Sequence, residues 1–176
     1  MTITRRAILG ATAIVPLAVA GCAGQTAAQV SAQIVTDLTG ALQGVINAVP
    51  AIAKADPTIF SPSQQANVTT VATQGLGVLK GLSASMAATA AAPALAKAES
   101  ALNTVLASLA GLPIIPPPYS EILAAAAVVA PMIEGYISSI TGTAGAAPNG
   151  ALGMLAHRLA PAMTLPEAQA ILATQR

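Results

Sequence analysis

The stretch Val30–Pro50 reads VSAQIVTDLTGALQGVINAVP. Val30, Ile34, Leu38, Ala41, Val45 and Ala48 recur at steps of three and four, which an α-helix gathers on one face. Val35, Leu42, Ile46 and Val49 form a second apolar stripe beside the first, while Gln33, Asp37 and Gln43 are polar interruptions. Two adjacent stripes make a face broad enough to need covering by other helices. The spacing predicts a helix over 27–54, disturbed at Pro50, where the ring removes a backbone donor.

The pattern continues outward from this helix. Asp56-Pro57 begins a break, and Ser61-Pro62-Ser63-Gln64 has the form of a helix start. Ser61 can be the N-cap, Pro62 the first helical residue and Gln64 the capping-box partner. Val68, Val71, Gly75, Val78, Leu82 and Met86 continue at helical spacing. Gly75, Gly77 and Gly81 each weaken that helix by about 1 kcal/mol relative to alanine, which makes sense where another helix packs closely. Residues 87–94 are low in complexity, and Pro93 marks a new start in this reading. Leu95, Leu102, Val105, Leu106 and Leu109 give a third amphipathic helix closed by Gly111.

Leu112–Pro118 (LPIIPPP) is expected to be an extended polyproline connector. Ser120 can cap the next helix, with Glu121 in its first turn. Ile122–Ile133 is an unbroken apolar run containing Pro131, read as a helix buried on all sides. It is too short for confident membrane spanning, and Glu134 follows it. Thr141–Gly150 is a Gly-rich linker. Leu152, Leu155 and Leu159 suggest a short helix, and Thr164-Leu165-Pro166-Glu167 opens a last one through Ala168, Ile171 and Leu172.

The fold class that follows is all-α: a small bundle of about four main helices over 30–140. A linker (141–150) and a helical tail (151–176) follow, the tail either docked or free. Composition agrees. Only 7% of residues are charged, the reverse of a disordered chain, and with no Trp, one Phe and two Tyr an aromatic β core is excluded. Because alanine buries little area, close helix packing is the expected route to stability.

Residues 1–22 read MTITRRAILGATAIVPLAVAGC. Arg5 and Arg6 are a charged start, and Ala7–Ala20 is an apolar stretch shorter than the roughly 20 residues needed to span a bilayer. These are the parts of a cleaved signal peptide, residues 1–21. Val19-Ala20-Gly21-Cys22 resembles the lipobox of bacterial lipoproteins. The resemblance implies cleavage before Cys22, with Val19, Ala20 and Gly21 read by the signal peptidase. It implies a diacylglyceryl group on the Cys22 thiol and an acyl group on the new amine. Residues 22–29 would then be a lipidated tether. Two or more acyl chains anchor a protein stably. In Gram-negative members of that family, a residue other than Asp after the cysteine, here Ala23, favours the outer membrane over the inner. The expected location is therefore the cell envelope, lipid-anchored and facing the periplasm. Thr4-Arg5-Arg6-Ala7-Ile8-Leu9-Gly10 is also similar to a twin-arginine export signal, with Ile8 and Gly10 departing from that pattern. General export signals carry paired arginines too. The two resemblances cover only these 22 residues.

For a catalytic site the sequence offers little. Beyond residue 21 it has six carboxylates, five basic residues and one histidine, His157, beside Arg158 in the tail. No G-x-S-x-G element is present, and Gly75–Gly81 matches no phosphate-binding spacing. One histidine and one cysteine make a poor metal-ligand set, and a net charge of +1 gives no footprint for nucleic acid. Lys97 and Glu99 are too close in sequence to meet on a helix face, and Asp37 and Glu134 have no predictable partner. No catalytic, cofactor-binding or metal-binding residue is expected. The expectation is a non-catalytic lipoprotein with a structural or interaction role, its partner an envelope protein or a second copy. A membrane-active helix at 122–140 and a carrier with an apolar cavity are the alternatives. A cluster of Glu121, Glu134, Tyr136 and His157 in a cleft would instead point to an enzyme.

Overall fold

The fold was read from a computed structural model, which describes residues 27–55, 57–58, 60–82, 86–112, 115–142, 159 and 163–175. Among these residues the secondary structure is helical, with no strand: α1 (Ala27–Ala55), α2 (Pro62–Leu79), α3 (Ala88–Ala110), α4 (Tyr119–Thr141) and α5 (Leu165–Ala173). The all-α expectation holds.

The first four helices run up, down, up, down, as short connections dictate. Neighbouring packing closes a ring of α1, α2, α3 and α4, with α1 also meeting α3 across the centre. Ser31 meets Tyr136 near one end of the α1–α4 pair, and Gly44 meets Ile122 further along it, so these two helices are antiparallel. Helix α5 lies on α1 and α4 and runs parallel to α1, with Gln169 at Asp37 and Leu172 at Gly40. The first predicted stripe of α1 and the predicted face of α3 are buried, apart from Val30, which is half-buried. Ile34, Leu38, Ala41, Val45 and Ala48 of α1 are buried, as are Leu95, Leu102, Val105, Leu106 and Leu109 of α3. In α4 every residue from Ile122 to Ala127 is buried, but the expected burial on all sides does not extend through Ile133: Val128 and Met132 are half-buried and Pro131 is exposed.

The helix starts follow the capping reading in two cases. The Gln64 backbone N–H donates to Ser61 Oγ (3.3 Å), and the Ser61 N–H donates to Gln64 Oε1 (3.0 Å). At α5 the Thr164 N–H (2.8 Å) and hydroxyl (2.7 Å) both donate to Glu167 Oε2. These bonds hold the Glu167 carboxyl below the ordinary carboxylate range, the backbone bond contributing most.

Five expectations about boundaries are corrected. Helix α1 runs undisturbed through Pro50, and α3 starts at Ala88, so Pro93 lies inside it. Pro50, Pro93 and Pro131 are all exposed, so each ring lies on the solvent side of its helix. Helix α2 ends at Leu79, so Leu82 and Met86 lie beyond it, and its buried face is Val68, Ala72, Gly75 and Leu79, not 68, 71, 75 and 78. Backbone bonds from Gly81 to Val78 and from Leu82 to Leu79 close that end in a tight turn. Pro116–Pro118 is a turn, not an extended polyproline segment. The Pro117–Pro118 peptide is cis, Pro118 has ψ 0°, and the Pro116 carbonyl accepts from the Tyr119 and Ser120 N–H groups. Pro118, not Ser120, is consequently the N-cap of α4, and Ser120 sits in the first turn beside Glu121. Gly111 closes α3 as expected, at φ −75°, and Gly142 closes α4 at φ +68°, where glycine is favoured.

Candidate functional site

The residues assigned to export and lipidation (Arg5, Arg6, Val19, Ala20, Gly21 and Cys22) lie outside the described residues, as do His157 and Arg158. Position 22 is six residues from Ala28, in the first turn of α1.

Three groups of polar or apolar side chains stand out in the bundle. The first is Asp37, 1% exposed on the core face of α1. Gln33 Nε2 donates to its Oδ1 (2.8 Å) from one turn earlier, and Gln169 Nε2 donates to its Oδ2 (2.8 Å) from α5. This carboxylate fastens the tail helix to the bundle. Sequence reading left it without a partner because the partner lies 132 residues away. Its position was a signal nonetheless, since residue 37 follows Ile34 by three and so falls on the buried face.

The second group is Glu99, Asn103 and Glu134, where α3 meets α4. The Asn103 amide donates to Glu99. Burial, aided by the charge of Glu134, raises the Glu99 carboxyl above its ordinary range, and the Asn103 bond opposes this. Asn103 Oδ1 is buried with no hydrogen-bond partner among the described residues. Glu134 therefore has Glu99 as its electrostatic neighbour. Glu121, thirteen residues before Glu134 on the same helix, stands about 20 Å away at 1.5 Å per residue, so the described part of the suggested enzymatic cluster is not assembled. Among the described residues no group of three or more His, Cys, Asp or Glu could hold a metal ion.

The third is an apolar cavity of about 250 Å³ at the end of the bundle where α1 begins. Ala28, Ser31 and Val35 of α1, Leu82 and Met86 of the α2–α3 corner, and Leu95 of α3 line it. The Ser31 hydroxyl is hydrogen-bonded to the Tyr136 hydroxyl. Met86, 37% exposed, is the exposed large hydrophobic among the described residues, and Leu82 is half-buried. The sequence reading had placed Leu82 and Met86 in α2 and so missed this corner.

Helix α4 is long and apolar enough to cross a membrane by length and composition, with a mean hydropathy of 1.6 over its most apolar window. Of that window 61% is buried inside the bundle. Of the three glycines of 75–81, Gly75 alone packs closely, against Leu42 and Ala101; Gly77 has open space, and Gly81 meets only its own turn. Compared with protein-family models, curated proteins and solved structures, the chain matches none.

Proposed function

We propose that this chain is a non-catalytic lipoprotein of a bacterial envelope, held by acyl chains on Cys22 and offering its helical domain as a structural or interaction element. The carrying observation is the order of parts at the N-terminus: Arg5-Arg6, the apolar stretch Ala7–Ala20, and Val19-Ala20-Gly21-Cys22. The chain's one cysteine sits where the lipobox requires it. Ala23 favours the outer membrane, with the domain facing the periplasm. Further support comes from the scatter of the polar side chains: Asp37 is occupied in fastening α5, and Glu121 stands far from Glu134 along α4. The apolar faces of the four long helices are spent on one another. Anchoring supplies a high local concentration at the membrane, where even a modest contact surface is effective.

The test is expression of the full chain and a Cys22→Ala variant in a Gram-negative host, read by membrane fractionation and intact mass. The wild type is expected in the membrane fraction, cleaved before Cys22 and carrying acyl mass. The variant is expected without that mass. Wild-type protein lacking acyl mass refutes the proposal.

A further inference from the structure

The lipid anchor reading leaves open which part of the bundle meets the bilayer. We infer that the end formed by the start of α1, the α2–α3 corner and the start of α3 rests on the membrane, with Leu82 and Met86 entering the acyl region and lipid chains filling the cavity behind them. This inference rests on acylation of Cys22.

Reach is the first argument. Ala28, which lines the cavity, is six residue steps from position 22, and even fully extended these span at most about 20 Å. Helix α1 continues from Ala28 to Ala55, about 40 Å at 1.5 Å per residue. An anchor on Cys22 therefore keeps the Ala28 end near the bilayer, while the Ala55 end can stand clear of it.

The second argument is the chemistry of that end. Apolar side chains held at a bilayer surface gain by burying their area in the acyl boundary. Met86 is the exposed large hydrophobic among the described residues, and it lies at the mouth of the cavity with Leu82. Among the described residues no charged side chain lines the cavity. Lys80, exposed at the C-cap of α2 two residues before Leu82, can run its stem along the apolar rim and bring its ammonium to the lipid phosphates. The outer faces of α2 and α3 differ. Ser63, Asn67, Thr70 and Gln74 of α2 and Ser100 and Thr104 of α3 are exposed neutral polar residues. A bundle lying on α2 and α3 would place these against the bilayer in place of Met86.

The chain has no tryptophan, so one introduced indole reports a single position. The acylated full-length product carrying Met86→Trp is placed in phosphatidylethanolamine–phosphatidylglycerol vesicles doped with phosphatidylcholine brominated on its acyl chains. The control is Lys54→Trp, exposed near the far end of α1. Intact mass establishes acylation first. The expected result is blue-shifted emission and bromine quenching severalfold stronger at position 86 than at 54. Indole itself favours membrane interfaces. The wild-type methionine therefore supplies a second readout: peroxide should oxidise Met86 severalfold more slowly in the vesicle-bound protein than in the Cys22→Ala protein in solution. An acylated protein whose position 86 is no more quenched than 54, or whose Met86 is not protected, overturns the docking while the anchor stands. One lipid retained per molecule by the Cys22→Ala protein in solution would also overturn it, as the mark of a carrier. A product without acyl mass overturns anchor and docking together.

Discussion

Replacing Gly40 by alanine tests the docking of the tail helix by a packing argument whose size can be worked out. A Cβ at position 40 would lie 2.4 Å from the Leu172 carbonyl oxygen, 2.9 Å from its carbonyl carbon and 3.1 Å from its Cβ. A carbon and a carbonyl oxygen approach to about 3.3 Å at closest, so something must yield by nearly 1 Å. The obstacle is backbone, so no rotamer change relieves it; α5 itself must shift. A gap of that size forfeits a quarter to a half of the dispersion energy of the contacts it opens, here those of Ala168 and Leu172, both fully buried. Overpacking of this kind costs about 1–3 kcal/mol. Alanine in place of glycine also favours the helix by about 1 kcal/mol, which clouds the single measurement. Gly135→Ala removes that ambiguity. Gly135 is an exposed residue inside α4 with nothing within 4 Å of an added Cβ, so it reports the propensity gain alone. The difference between the two variants is then the packing cost. Thermal unfolding of purified protein followed by far-UV circular dichroism should place Gly40→Ala below wild type and Gly135→Ala above it. The separation should be about 2–4 °C per kcal/mol for a chain of this size. A Gly40→Ala melting temperature equal to or above that of Gly135→Ala would mean that α5 does not lie on Gly40.

Other expectations bear on the polar groups. Asp37→Ala should destabilise by about 1–3 kcal/mol, because the Gln33 and Gln169 amides lose their buried acceptor. It should also speed proteolytic cleavage within 165–173; unchanged stability and cleavage would sink the fastening role. Glu99 binds its proton more tightly folded than unfolded, since burial and then Glu134 raise its carboxyl. Its stabilising contribution is therefore present below the unfolded value of about 4.3 and lost as pH rises through the raised folded value. The melting temperature of Glu99→Gln relative to wild type should climb across that window, and a flat difference would refute the assignment. Glu134→Gln should lower the pH at which wild-type stability falls.

How much of this was legible in the sequence depends on the range of the interaction. Local determinants read correctly: the core stripe through Ile34 and Leu38, the Ser61–Gln64 box, and the Leu95–Leu109 face all depend on residues within two turns. The errors fall where a local rule is outvoted. Proline weakens a helix interior, yet α1, α3 and α4 run through Pro50, Pro93 and Pro131, each on the solvent side of its helix, a placement no local pattern states. Gly40 and Gly44 lie one turn apart on the α1 face, a spacing visible in the sequence, but their use becomes clear only when Leu172 and Ile122 are seen against them. Asp37 is the same case in polar form. The residues that resemble a lipobox are, by contrast, a purely local pattern, read without a fold.

The tail helix shows why an alanine-rich core takes this form. Alanine contributes little apolar area, so a core containing Ala41, Ala48, Ala72, Ala98 and Ala124–Ala127 gains stability by bringing backbones together, where many small contacts add up. Close approach needs positions without a side chain, and α1 supplies three faces of contact of this kind: Gly40 toward Leu172, Gly44 toward Ile122, and Leu42 toward Gly75 of α2. The same choice leaves little large apolar surface to spare. Exposed Met86 and half-buried Leu82 sit at one corner, which Ala28 in the first turn of α1 also lines. Met86 is the large apolar side chain that this packing leaves exposed among the described residues, at the mouth of an apolar cavity. If Cys22 is acylated as proposed, the membrane covers that corner, because so short a stretch of chain ties this end of the bundle to the bilayer.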